Sequence, residues 1–373
     1  MDFSIDDTTL ELAALVRDMG EQLVTDDSLR ELDARFGPGT ESGGTDRDTA
    51  RFHARFWDEL VRAGVPSALA PEPLGGAGLG VVADALVLRE LGRVLAPVPL
   101  SATLRAARLL DAAALGSSGW GSTGLGDPER GRTADCNRAT AVAEGRAIAA
   151  VADGPTAEID WAPVADLVLR ADDDGLRIAE RATLTVERTI PVDFSCTGLV
   201  EGDLGAATPL PEGAVELDAL TRRVHLAAYQ WGVVEAALER TAAYASTRQQ
   251  FGRPIGTFQA VAARLADGLI DVDAVRLSTL RAAYELDACS GQPGDTARAA
   301  VSSAHFWACD AGHRLAHSAV HIHGGVGLDR SEPVHRYFLA AKTAEFRLGG
   351  ATRQLLGLGE ILAAGGDPWE RSA

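Results

Sequence analysis

Apolar positions recur along this chain with two different periods, and the change of period divides it. From about Thr8 to Leu115 the period is helical: Phe52, Phe56 and Leu60 return every four residues, with Trp57 and Val61 beside them. Pro71–Gly80 is a Pro/Gly-rich loop, and Val81–Leu95 follows as an amphipathic helix that stops at Ala96-Pro97-Val98-Pro99. The breaker cluster Gly116-Ser117-Ser118-Gly119-Trp120-Gly121-Ser122 marks a domain boundary. From about Thr140 to Asp203, short runs rich in Val, Leu, Ile and Thr alternate with Gly/Asp turns, as in Leu167–Leu169, Leu176–Ile178 and Thr183–Val186. That pattern predicts a small antiparallel β domain. The helical period then returns in long segments, Leu217–Thr247, Phe258–Cys289 and Thr296–Ile322, and a shorter pair closes the chain. Long helices joined by short loops make a bundle.

The expected fold is therefore mainly α with a small central β domain. A helical domain spans residues 1–122, a small antiparallel β domain 123–210 and a C-terminal helical bundle 211–373. No internal repeat or low-complexity tail is evident.

Composition narrows the function classes. At 373 residues, 46% of them hydrophobic, the chain has ample material for a sizeable core. A net charge of −18 argues against general nucleic-acid binding. The start, Met1-Asp2-Phe3-Ser4-Ile5-Asp6-Asp7, is acidic where a signal peptide would be basic. No apolar run reaches the roughly eighteen residues of a membrane span. Cys136, Cys196, Cys289 and Cys309 show no CxxC spacing, which points to buried thiols in a reducing cytoplasm.

Several residues carry candidate chemistry, each with a plainer structural alternative. Arg248 falls at a helix C-terminal end before a Gly/Pro turn; it either completes the helix dipole or offers a planar fork to a pyrophosphate. Phe251 is either a core aromatic or a stacking face. Gln259 reads as a polar helix residue. Gly324-Gly325 either ends a helix or lets backbone approach a phosphate or ribose that a Cβ would block. His313, His317 and His321 share one helix face at i, i+4, i+8. That spacing is geometrically competent for a metal, but no Asp, Glu or Cys completes a recognised motif, and no metal site is expected.

Three ordered motifs resemble the acyl-CoA dehydrogenase family of flavoproteins over nearly the whole chain. They are Pro71-Glu72-x-x-Gly75-Gly76-x-Gly78, the stretch Tyr244–Ala260 containing Arg248-Gln249-Gln250-Phe251-Gly252-Arg253-Pro254, and His323-Gly324-Gly325-Val326-Gly327 followed by Glu332–Phe338. The resemblance implies an N-terminal helical domain, a β-barrel-like middle domain and a C-terminal four-helix bundle. It also implies FAD as cofactor and an acyl-CoA thioester as substrate. Arg248 then resembles the arginine that grips the flavin pyrophosphate of a neighbouring subunit. Phe251 would pack on its adenine, Gln259 would face the dinucleotide, and Gly324-Gly325 would meet it through backbone. His321 stands where the family usually has glutamine.

The same resemblance exposes losses. In such enzymes a glutamate removes the α-proton of the acyl-CoA while the β-hydride passes to flavin, and that step needs a positioned carboxylate. Leu348, just before Gly349, occupies its place. The alternative place, on the first bundle helix, falls at or near Arg222, while Glu345 lies about a turn before Leu348 and reads as a solvated or salt-bridged side chain. Leu125–Thr133 carries no equivalent of the family's flavin-ring segment, and Gly350 replaces a usual threonine. Losses thus fall on what a subunit builds for its own flavin, and what remains is what it offers its neighbour's. The expectation is a base-lacking subunit resembling those of heterotetrameric (α2β2) acyl-CoA dehydrogenases. It would share FAD with a homologous catalytic partner and be inactive alone. Two alternatives stay open: a flavoenzyme of other chemistry on this fold, such as a monooxygenase working as a homo-oligomer, and a non-redox protein on the same scaffold.

Overall fold

The computed structural model describes residues 5–35, 50–116, 137–154, 158–289, 291–347 and 349–365. Its contacts divide the chain into two compact units, one of residues 27–84 and 97–222, the other of residues 1–26, 85–96 and 223–373.

Small sheets on short helices make up the unit of residues 27–84 and 97–222. Helix α1 (Asp7–Leu23) belongs to the other unit, and α2 (Asp26–Arg35) opens this one. In α3 (Ala54–Arg62) the four-residue period buries Phe56, Trp57 and Leu60 on one face. Its first turn is capped by His53, whose Nδ1 accepts from the Phe56 amide at 3.2 Å. After α4 (Val65–Leu69) and the loop to Gly80, α5 (Gly80–Arg93) begins. This helix was expected to be amphipathic, yet it is buried nearly throughout, Asp84 and Glu90 included. Ion pairs make that possible: Arg108 holds Asp84 at 2.6 Å, and Arg89 pairs with Glu90.

Helix α6 (Leu100–Gly116) and a helix over 137–143, α7, pack on the first sheet through Ala106, Leu109, Leu110, Ala113, Val142, Val151, Leu167 and Leu169. That sheet has the order β1 (Ala149–Ala152), β3 (Leu167–Asp172), β4 (Gly175–Glu180). The second has the order β2 (Glu158–Asp160), β6 (Thr197–Glu201), β5 (Thr185–Thr189). An all-antiparallel domain was expected, but β1 and β3 pair in parallel, Ala149 opposite Leu167. Parallel neighbours need a crossover, and the chain between them is long enough to lay β2 into the second sheet on the way. The alternation seen in sequence reports which face is buried and says nothing of strand direction.

The other unit is a bundle of long helices. It comprises α1, the second part of α5, and most of α8 (Ala214–Thr247), with α9 (Gln259–Asp287), α10 (Asp295–His323), α11 (Val334–Arg347) and α12 (Gly350–Ala363). Each long helix lies within three residues, at either end, of its expected span. Between α8 and α9 the chain makes a hairpin, β7 (Gln249–Gln250) with β8 (Arg253–Pro254). The bundle is tight because small residues line its seams. A Cβ on Gly232 of α8 would fall 1.9 Å from the Arg89 carbonyl oxygen of α5, and one on Gly92 would fall 2.1 Å from that of Tyr229. Beside this crossing, Arg89 and Arg93 pair with Glu235 and Glu239 of α8.

Candidate functional site

The candidate binding residues cluster at one end of the bundle. Arg248 follows the last residue of α8, and its amide still bonds to the Tyr244 carbonyl at 2.8 Å. The β7–β8 hairpin is closed by Ile255 N–H donating to the Arg248 carbonyl at 2.8 Å, which places Phe251 at its tip. Gln259 opens α9 directly after it. His321 lies in the last turn of α10, and Gly324-Gly325 follow. Tyr244 stacks on His323 with ring centroids 4.3 Å apart, and this contact joins the ends of α8 and α10. Arg248, Phe251, Gln259, His321, Gly324 and Gly325 are thereby gathered on one surface, and all six are exposed.

Phe251 is the informative member. Its side chain is 93% exposed and its backbone is left-handed, φ 52°. A core phenylalanine, one of the two readings open from sequence, does neither. The ring meets Phe258 edge-on at 6.2 Å, and the Arg253 guanidinium lies 4.2 Å from the centre of the Phe258 ring. Among the described residues the Arg248 guanidinium has no hydrogen-bond or ion-pair partner. Gly324 requires glycine for its own backbone, φ 64° with ψ −139°. Gly325 does not, and nothing lies within 4 Å of where its Cβ would be. This surface offers a free guanidinium, an exposed ring and an open backbone turn. That donor set suits the pyrophosphate and adenine of a dinucleotide.

The acid–base side differs. Leu348 and the segment Leu125–Thr133 lie outside the described residues. Arg222 is held by Asp153 at 2.6 Å, so the alternative base position carries an engaged cation. Asp153 also pairs with Arg105, which binds Asp218 through two nitrogens at 2.9 and 2.7 Å. Glu345 is salt-bridged, as expected: Lys342 donates to it at 2.5 Å, and His313 lies at 3.2 Å. Burial pushes the Glu345 pKa up, but Lys342 and His313 outweigh it and hold the carboxyl below its usual value. Such a group is a poor proton acceptor. The His313 and His317 rings lie 4.5 Å apart, but Lys342 donates to His313 Nδ1 at 2.9 Å, an ammonium where a metal would sit. Among the described residues no three metal-ligating side chains converge. No helix among them is long and apolar enough to cross a membrane.

Two features of the structure are faint or silent in the sequence. Tyr244 and His323 lie inside the motifs, but nothing in the spacing says that they stack. Arg223 had a signal, a second guanidinium next to Arg222 in a stretch otherwise buried.

Short helices with two small sheets, a bundle of long helices and an exposed polar and aromatic cluster at one end of that bundle define a mainly helical protein with a candidate nucleotide-binding surface. Comparison with known proteins agrees. Residues 40–115 match the model of the acyl-CoA dehydrogenase N-terminal domain, and residues 218–361 that of the C-terminal domain. Acyl-CoA dehydrogenase FadE27 of Mycobacterium tuberculosis is 37% identical, over 97% of this chain and 99% of that protein. Among solved structures, the ChsE4–ChsE5 complex from Mycobacterium tuberculosis matches with a TM-score of 0.77 and 34% identity, over 100% of both chains. A steroid ACAD, Tcur3481–Tcur3483, matches with a TM-score of 0.77 and 30% identity, over 96% of this chain and 98% of that one. The chain belongs to the acyl-CoA dehydrogenase family, whose members normally bind FAD.

Proposed function

We propose that this chain is the non-catalytic subunit of a heteromeric, FAD-dependent acyl-CoA dehydrogenase. It completes the flavin site of a homologous partner that carries the catalytic glutamate. The observation that carries the reading is the exposed, strained Phe251 beside an Arg248 whose guanidinium has no partner among the described residues. A bare ring on a left-handed backbone costs about 1–2 kcal/mol and gains only an edge contact with Phe258 inside the chain, which suits a group that works on another molecule. Arg248 would grip the pyrophosphate, Phe251 would cover the adenine, and Gln259, His321 and the Gly324-Gly325 turn would flank them. When bound, FAD supplies the hydride acceptor for desaturation of the acyl chain. The base would come from the partner, since Leu348 has no proton acceptor and the carboxylates nearest in sequence or role are tied up. The likeness to the ChsE4–ChsE5 complex and to a steroid ACAD supports a two-chain assembly.

The test is flavin absorbance per protomer on sized fractions of the chain alone and of the chain produced with a homologous glutamate-bearing chain. Half occupancy confined to the mixed oligomer is expected. Arg248→Ala in that oligomer should lower flavin retention at least tenfold, the worth of a charge-assisted hydrogen bond of about 1.5–3 kcal/mol. A full complement of flavin in the homo-oligomer would overturn the reading, and so would turnover of any acyl-CoA by a Leu348→Glu chain alone.

A further inference from the structure

Arg223 is a half-buried guanidinium that, among the described residues, is served only by neutral acceptors. Its Nε donates to His305 Nδ1 at 3.3 Å, and its Nη2 donates to Ser302 Oγ at 3.4 Å and to Gln354 Oε1 at 2.5 Å. Ser302, His305 and Gln354 form a buried polar floor. Other arginines of the same unit are treated differently: Arg89 pairs with Glu235, Arg93 with Glu239 and Arg314 with Asp271. No carboxylate among the described residues acts on Arg223. Burial lowers its pKa, and the nearby charge of Arg353 lowers it further. A desolvated cation facing a second cation is a costly arrangement unless an anion joins it.

The surroundings reinforce that sign. Arg353 has no hydrogen-bond or ion-pair partner among the described residues. Its side chain folds over the start of α12, with Cδ 3.2 Å from where a Cβ on Gly349 would be. Gly349 caps α12 without any side-chain hydrogen bond, and no acidic residue stands in the first turn, so the positive end of a fourteen-residue helix is left uncompensated. Gln354 donates weakly to the Gly350 carbonyl, 3.4 Å away, which turns its Oε1 toward Arg223. Gly349 and Arg353 are exposed, whereas Ser302, His305 and Gln354 are buried.

We propose that Arg223, Arg353 and the first turn of α12 form a recess that binds a small oxyanion, either a carboxylate or a phosphate group. Arg353 presents an unused planar fork, the geometry that takes two oxygens of one anion. Arg223 keeps its Nη1 donors for the same ligand, and the Ser302 hydroxyl can turn toward it. The recess lies on α8, α10 and α12 of one unit and uses none of the residues assigned to flavin. It therefore stands or falls apart from the heteromeric reading.

The test uses the full chain, in the oligomer it forms, with sodium acetate and sodium phosphate as probes and sodium chloride at matched ionic strength as the reference. Thermal unfolding and titration calorimetry are the readouts. Saturable stabilisation by one or both oxyanions beyond chloride is expected. The stronger of the two identifies the source as a free carboxylate or a phosphorylated ligand. Arg353→Ala should weaken binding at least tenfold, Arg353→Lys should recover part of it, and Arg264→Ala, an exposed arginine on α9, should leave it unchanged. Arg223→Gln should abolish it; because Arg353 sits on the rim, its variants carry the test even if that chain folds poorly. Equal shifts with chloride, wild-type affinity in Arg353→Ala, or an equal loss in Arg264→Ala would each overturn the proposal.

Discussion

Replacing Phe251 by glycine separates what this residue does for its own chain from what it does for a partner. The residue sits at φ 52° with its ring 93% exposed. Glycine relieves a left-handed strain of about 1–2 kcal/mol. Against that stand the greater freedom of glycine in the unfolded chain, about 0.5–1 kcal/mol, and the edge contact with Phe258, at most about 0.5–1.5 kcal/mol and less for an exposed pair. These terms nearly cancel, so the stability of the isolated chain should change by less than about 1 kcal/mol in urea unfolding. Flavin should respond differently. Stacking of an aromatic ring on a base is worth about 1–3 kcal/mol, so the mixed oligomer should release FAD roughly 5- to 150-fold more readily. The assay is the fluorescence of flavin released on dilution, read beside the unfolding curve. A chain destabilised by more than about 2 kcal/mol would mean the ring is part of the core. Flavin retention within twofold of wild type would mean that the ring meets no flavin.

Three further outcomes follow from the packing. Arg105→Met should destabilise by about 3–5 kcal/mol in denaturant unfolding, because it strands Asp218 where Arg105, with its side chain 6% exposed, now neutralises it, while Asp153 keeps Arg222. Gly232→Ala should cost about 3 kcal/mol or more and lower the melting temperature by several degrees, since its Cβ meets the Arg89 carbonyl, a backbone atom that cannot turn away. Asp6 caps α1 by accepting from the Thr9 amide at 2.8 Å, and the side-chain and backbone bonds from Thr9 hold its pKa below the ordinary 3.8. That contribution is complete above the unfolded value and is lost as pH falls through the folded one, so Asp6→Ala should cost about 0.5–2 kcal/mol at neutral pH and progressively less below pH 3.8.

The chain's own pattern determined a good deal. The long helices lie within three residues of their periodic spans because each buries a continuous face, and periodicity records burial directly. The order of helices, strands and helices could be read for the same reason, and so could the turn chemistry around Gly252-Arg253-Pro254. Tertiary structure alone decided the rest. Strand direction is silent in an alternating pattern, so the parallel pairing of β1 with β3 was invisible. The burial of α5 on all sides is a tertiary fact, since Asp84 looks like part of a solvent face until Arg108 of α6 reaches it. The same holds for the site. Residue types named Arg248, Phe251 and the glycine turn, but the packing of Tyr244 on His323 gathers them, and only the folded chain leaves Phe251 bare. Arg223 is the sharpest case: its place beside Arg222 marks it out in sequence, but only folding sets it among neutral groups while its neighbour takes Asp153.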